Sequence, residues 1–118
     1  MKQAKQIIGY WCEEIRRESA LGQGICAAVL DTGICAHPDF GKRILAFGDF
    51  VHRKEQVYDD SGHGTHVAGI LAGDGRLSGG TYAGIAPKAS LLIAKVLDQD
   101  GNGSVESVLE GMRWVLSM

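Results

Sequence analysis

The chain has 118 residues, 45% of them hydrophobic, with 12 Lys and Arg against 14 Asp and Glu and a formal net charge of −2. That length fits one domain or part of one, and the balanced charge, without a Lys/Arg cluster, argues against a nucleic-acid-binding surface. No apolar run approaches the roughly 20 residues needed to cross a bilayer, so neither nucleic acid nor membrane is an expected partner.

Ile7, Ile8, Trp11 and Ile15 recur at helical spacing opposite Lys5, Glu13, Glu14, Arg16, Arg17 and Glu18, which predicts an amphipathic helix running to about Glu18. The first nine residues are basic but only interruptedly apolar, unlike a secretory signal, and the expected location is the cytoplasm. Cys12, Cys26 and Cys35 are an odd set without CxxC spacing. Reduced, mostly buried thiols are expected rather than a disulfide framework or a zinc ribbon.

After Gly22-Gln23-Gly24, the run Ile25 to Leu30 has the character of a buried parallel strand. Asp31-Thr32-Gly33 follows it directly. A carboxylate at the carboxyl end of a buried strand sits where open α/β sheets place ligands; capping of the turn by bonds to backbone amides is the equally open structural reading. His37-Pro38-Asp39-Phe40 predicts a turn, Ile44 to Phe50 a second strand, and 52 to 58 a polar loop.

Ser61-Gly62 reads as a turn, and from His63 the residues Val67, Ala68, Ile70, Leu71 and Ala72 predict a short helix buried almost all round. Gly62 and Gly64 remove side chains on both sides of His63, which makes it the candidate general base at the helix start. His66, three residues on, has metal-ligand spacing, but no glutamate lies between the histidines as a zinc peptidase helix requires. A packed, hydrogen-bonded core histidine is the expected role of His66. Residues 74 to 82 are a glycine-rich surface loop, and Ser90 to Leu97 is a strand buried from Leu91 onward. Asp98 to Gly103 reads as a flexible connection. Ser104 is a plausible N-cap for a helix whose stripe of Val105, Val108, Leu109, Met112, Val115 and Leu116 should cover one sheet face. This alternation predicts an α/β fold with a mostly parallel sheet.

Val29-Leu30-Asp31-Thr32-Gly33, His37-Pro38-Asp39, Ser61-Gly62-His63-Gly64-Thr65-His66-Val67-Ala68-Gly69, Gly84-Ile85-Ala86-Pro87 and Lys95-Val96-Leu97, in that order, resemble the subtilisin-like serine proteases, or subtilases, over residues 24 to 118. The nine-residue histidine motif is highly specific; Asp-Thr-Gly alone is shared with aspartic proteases. The resemblance implies a subtilisin-like sheet with helices on both faces, incomplete in this chain, after an N-terminal helical extension over 1 to 23. It implies a serine-type endopeptidase acting on peptide or protein substrates through an Asp-His-Ser triad. Asp31 would accept the Nδ1 hydrogen of His63, and His63 rather than His66 would be the acid and base. Gly101-Asn102-Gly103 would lie alongside the substrate backbone as an added strand, with Leu97 and Val105 near side-chain pockets. No cofactor is implied for the chemistry, and a structural calcium at Asp39 with the 74 to 82 loop is suggested, although that loop's composition departs from the best-known calcium loop.

In the family the serine nucleophile and the oxyanion-hole asparagine lie further downstream, and Ser19, Ser61, Ser78, Ser90, Ser104, Ser107 and Ser117 all lack the nucleophile's context. The chain as given is therefore expected to be inactive alone and to need the missing C-terminal part of the peptidase domain. That absence is also expected to leave a sheet edge and one face of the last helix uncovered. The alternative is a non-catalytic binding module or pseudoenzyme that keeps the Asp and His half-site.

Overall fold

Three parallel strands, β1 (Cys26–Asp31), β2 (Ile44–Asp49) and β3 (Ser90–Lys95), lie side by side in the order β1-β3-β2 in the computed structural model, which describes residues 21 to 118. The helix expected before Glu18, and Cys12 with it, lie outside the described residues. β3 is the middle strand, so Leu91, Ile93 and Ala94 lose all contact with water and the strand reads as a continuous apolar run.

Two helices, α1 (His63–Ala72) and α2 (Val105–Leu116), cover the sheet. Side chains alternate between the faces of a strand. Val29, Leu91 and Ile93 form one core with Ile34, Phe40, Ala68, Ala72 and Ala89, which places α1 on their face. Leu30 and Ala94 point the other way, against Gly111 of α2. The result is the predicted α/β architecture with a helix on each side of a parallel sheet. Ser104 caps α2 as expected, its hydroxyl accepting the amide of Ser107.

Several expectations about burial need correction, beginning with β1, an outer strand whose start is exposed rather than buried, Ile25 just before it being 59% exposed. The sheet-facing side of α2 is built from Ser107, Gly111 and Trp114: Ser107 donates to the carbonyl of Phe50, and Trp114 meets the Phe50 ring edge-on at 5.8 Å. A Cβ on Gly111 would lie 2.6 Å from Val96, so the helix approaches the sheet by its smallest residue. Four residues of the predicted stripe consequently face outward, Val105 76%, Leu109 43%, Met112 47% and Leu116 83% exposed, while Val108 and Val115 are half-buried. α1 is buried along one line only, Gly64, Ala68 and Ala72, and not all round. Cys26 and Cys35 are exposed free thiols, because Cys26 is the first residue of an outer strand.

Candidate active site

Register sets the first element of the site. The last residues of the strands fall in one row, with Asp31 and Asp49 each opposite Lys95. The Asp31 carbonyl accepts the amides of Val96 and Leu97, so the end of β1 is stitched to the chain leaving β3. The Asp31 carboxylate does two things. Its Oδ1 accepts the Thr32 amide at 2.7 Å, which is the turn-capping role, and also meets His63 Nδ1 at 2.9 Å, with Oδ2 at 3.1 Å. A carboxylate only accepts, so this contact places the imidazole proton on Nδ1 and leaves Nε2 as the acceptor nitrogen. The Asp31 side chain is 13% exposed and that of His63 66%, so a shielded carboxylate backs an imidazole open to solvent.

His63 opens α1, and a helix start leaves its first amides without intrahelical partners. Gly62, the N-cap residue, has φ 94° and offers no side-chain cap. The partners come instead from two other segments. Ser61 Oγ accepts His63 N at 3.4 Å, Thr32 Oγ1 accepts Gly64 N at 2.9 Å and Asp59 Oδ2 accepts Thr65 N at 2.9 Å. A Cβ at Gly64 would overlap the Gly33 carbonyl, so glycine here lets the helix start rest on the Asp-Thr-Gly turn. The glycines flanking His63 thus serve backbone contact as well as clearance around the ring.

Two polar clusters built on the buried Lys95 and Asp49 lie at the same end of the sheet. Lys95 is fully buried, and its Nζ donates to Thr32 O at 2.7 Å, Asp60 Oδ1 at 2.7 Å and Leu97 O at 2.8 Å, over the Tyr58 ring. Asp49 accepts the Tyr58 hydroxyl at 2.6 Å and the amides of Val51, His52 and Lys54. Burial alone would raise the Asp49 pKa, but these four donors outweigh it and hold the group at about 2. Burial and the facing carboxylate push the Tyr58 hydroxyl well up. Sequence reasoning passed over Lys95 and Asp49 as site-supporting residues; a lone lysine inside the apolar run Ser90 to Leu97 was the available signal.

The other candidates stand apart from the pair. Gly101, Asn102 and Gly103 are exposed at the same carboxyl edge of the sheet, as is Val105, whereas Leu97 is half-buried. Their loop is pinned, not loose: Asp98 Oδ1 accepts the amides of Asp100 and Asn102, and the Asp98 amide donates to Asn102 O. His66 is exposed rather than packed in the core, because it lies off the buried Gly64-Ala68-Ala72 line of α1; it borders a cleft with His37, Asp39, Phe40, Ile70 and Tyr82. Among the described residues no group of three or more His, Cys, Asp or Glu side chains is placed to hold a metal ion.

The surroundings of Asp39 do not fit a calcium ion. Its Oδ1 accepts the Leu77 amide, and its carbonyl accepts Arg43 Nη2 and the Asp74 amide. Lys42, Arg43, Arg76 and Lys88 line the adjoining cleft with Asp74 as its acid. Positive charge here is supplied by side chains, with Arg76 paired to Asp74 at 3.1 Å, which disfavours a divalent cation.

The family model described as the subtilase family matches residues 22 to 118. Serine protease AprX of Bacillus subtilis (strain 168) is 46% identical over 105 residues, covering 88% of this chain and 24% of that protein. Subtilisin BL of Lederbergia lenta is 43% identical over 93 residues, or 79% of this chain and 33% of the relative. Among solved structures, Sphericase superposes with a TM-score of 0.70 at 36% identity, covering 79% of this chain and 32% of that one. A cold-adapted subtilisin-like serine proteinase gives a TM-score of 0.68 at 37% identity. The chain thus spans about a quarter to a third of the length of these relatives.

Proposed function

Because this chain belongs to the subtilase family, we propose that it carries the Asp and His half of a serine endopeptidase active site, with the serine supplied by residues outside these 118. The observation that carries the reading is the 2.9 Å contact from His63 Nδ1 to Asp31 Oδ1 on an imidazole otherwise open to solvent.

In this scheme, for which subtilisin is itself a reference case, Nε2 of His63 takes the proton of the serine hydroxyl as that oxygen attacks a peptide carbonyl. The same nitrogen then delivers the proton to the leaving amine. Asp31 keeps the ring in the tautomer that exposes Nε2 and stabilises the imidazolium formed in between. No cofactor takes part. The exposed backbone at Gly101, Asn102 and Gly103 would pair with an extended peptide as an added strand, Leu97 and Val105 flanking it. Without nucleophile and oxyanion donors the 118 residues alone would not turn over peptides, since the oxyanion donor by itself is worth about 3 kcal/mol of the barrier.

Fluorophosphonate labelling of the native source extract, followed by capture with an antibody raised against this chain, tests the proposal. A labelled product longer than 118 residues is the expected result. An unlabelled product of 118 residues would sink it and leave the half-site as a binding surface.

A further inference from the structure

One half-buried carboxylate touches both segments that bear the half-site without belonging to the pair. Asp59 Oδ1 accepts the Thr32 hydroxyl at 2.8 Å and the amides of Ser61 at 3.1 Å and Gly62 at 2.8 Å. Its Oδ2 accepts the Thr65 amide at 2.9 Å and the Thr65 hydroxyl at 2.5 Å. These donors come from residues on either side of His63 and from the residue that follows Asp31. The two hydroxyls extend the contact: Thr32 Oγ1 accepts the Gly64 amide and Thr65 Oγ1 accepts the Cys35 amide. An antiparallel bridge between Gly33 and Asp59 holds the backbone in the same place.

We propose that Asp59 is the positioning residue of the site, clamping the Asp31-Thr32 turn to the start of α1 so that His63 Nδ1 stays on the Asp31 carboxylate. The inference rests on reading Asp31 and His63 as the half-site. The clamp needs a group that accepts on both oxygens. All five donors, three amides and two hydroxyls, point at Asp59, so an asparagine of the same shape would turn an NH2 toward one set of them. Burial works against charge on Asp59, and the donors, with the Thr65 hydroxyl foremost, overcome it and hold the carboxyl below the usual range. A helix cap alone would need only the amides after residue 60; the bond to Thr32 is the part that reaches across to Asp31.

The tautomer of His63 reports the clamp directly. Two-bond ¹H–¹⁵N correlation spectra of the ¹⁵N-labelled 118-residue chain distinguish protonated Nδ1 from protonated Nε2, and are read in samples that keep dispersed amide spectra. In the parent chain the Nδ1–H form is expected to dominate; if it does not, the half-site reading itself fails and the clamp is not at issue. In Asp59→Asn the Nε2–H form is expected to become the major one. Thr32→Val removes the cross-segment hydroxyl but leaves the contacts of Asp59 to Ser61, Gly62 and Thr65, and should shift the tautomer the same way, whereas Thr32→Ser should restore the parent spectrum. If Asp59→Asn does not fold, the Thr32 pair decides alone. A parent-like tautomer in folded Asp59→Asn or in Thr32→Val, or the same shift in Thr32→Ser as in Thr32→Val, would overturn the proposal.

Discussion

Replacing Lys95 with methionine keeps an unbranched side chain, one heavy atom shorter, and deletes its charge, and the structure sets the size of the effect. The ammonium has three protons and each has an acceptor, Thr32 O, Asp60 Oδ1 and Leu97 O, with no exposure to water. Breaking a buried pair by removing one partner costs about 3–5 kcal/mol. The Asp60 side chain is 30% exposed and regains some hydration, which moves the expectation to the lower end, about 3 kcal/mol. Against a domain stability of about 5–15 kcal/mol this is a large fraction. In urea denaturation followed by circular dichroism the midpoint should fall by roughly 1.5 M if the slope is about 2 kcal/mol per molar. Asp60→Asn made in the Lys95→Met background should be cheaper than in the parent, with a coupling on the order of 1–3 kcal/mol. A loss below about 1 kcal/mol for Lys95→Met, or strict additivity of the two substitutions, would refute the reasoning.

Asp49 predicts a pH dependence. Its folded pKa of about 2 lies below the unfolded value near 3.9, so its stabilisation of roughly 2 kcal/mol is complete above about pH 4 and is lost as the pH falls through 2. The stability gap between the parent and Asp49→Asn should therefore shrink from about pH 6 to about pH 2.5, and a constant gap would refute this assignment. Gly64→Ala should cost about 1–3 kcal/mol in thermal melts, because the new methyl meets the backbone of Gly33 and Thr32, which cannot swing aside; a neutral result would mean that α1 is free to move. The outward stripe of α2 should make the 118-residue chain self-associate, and Leu109→Lys with Leu116→Lys should reduce that in sedimentation velocity. A parent chain that stays monomeric would remove the argument.

The legible parts of the sequence were those whose signal is local. The runs at Ile25 and Leu91 predict strands because an unbroken apolar run suits a parallel strand, although only the middle strand is covered throughout and Ile25 stays 59% exposed just before an outer one. Ser104 predicts a helix start because its hydroxyl serves an amide three residues on. Asp31 and His63 stood out because of what surrounds them: a glycine turn after a buried strand, and glycines on both sides of a histidine. The illegible parts depend on contacts between distant segments. Periodicity finds the apolar stripe of α2 but not the fact that Gly111 sets the closest approach to Val96 and turns that stripe outward. Spacing could not tell that His66 lies off the packed line of α1. Asp59 has no role that spacing reveals until Thr32, 27 residues away, is brought against it.

Stability and site geometry share residues here, and the degree of sharing decides which substitutions are informative. Lys95 joins the carbonyl beside Asp31 to the carbonyl of Leu97 and to the loop before His63. Any loss there loosens the sheet end and the proposed substrate edge together, so an altered His63 in Lys95→Met would not separate the two. Asp59 is more local, yet it still satisfies amides at a helix start. Thr32 Oγ1 is the one link in the network that donates to Asp59 and accepts from Gly64 through a single rotatable hydroxyl. Exchanging that hydroxyl for a methyl removes two hydrogen bonds of about 1 kcal/mol each while the side chain's shape stays the same. For that reason the comparison of Thr32→Val with Thr32→Ser reads the placement of His63 more cleanly than any change at the charged residues around it.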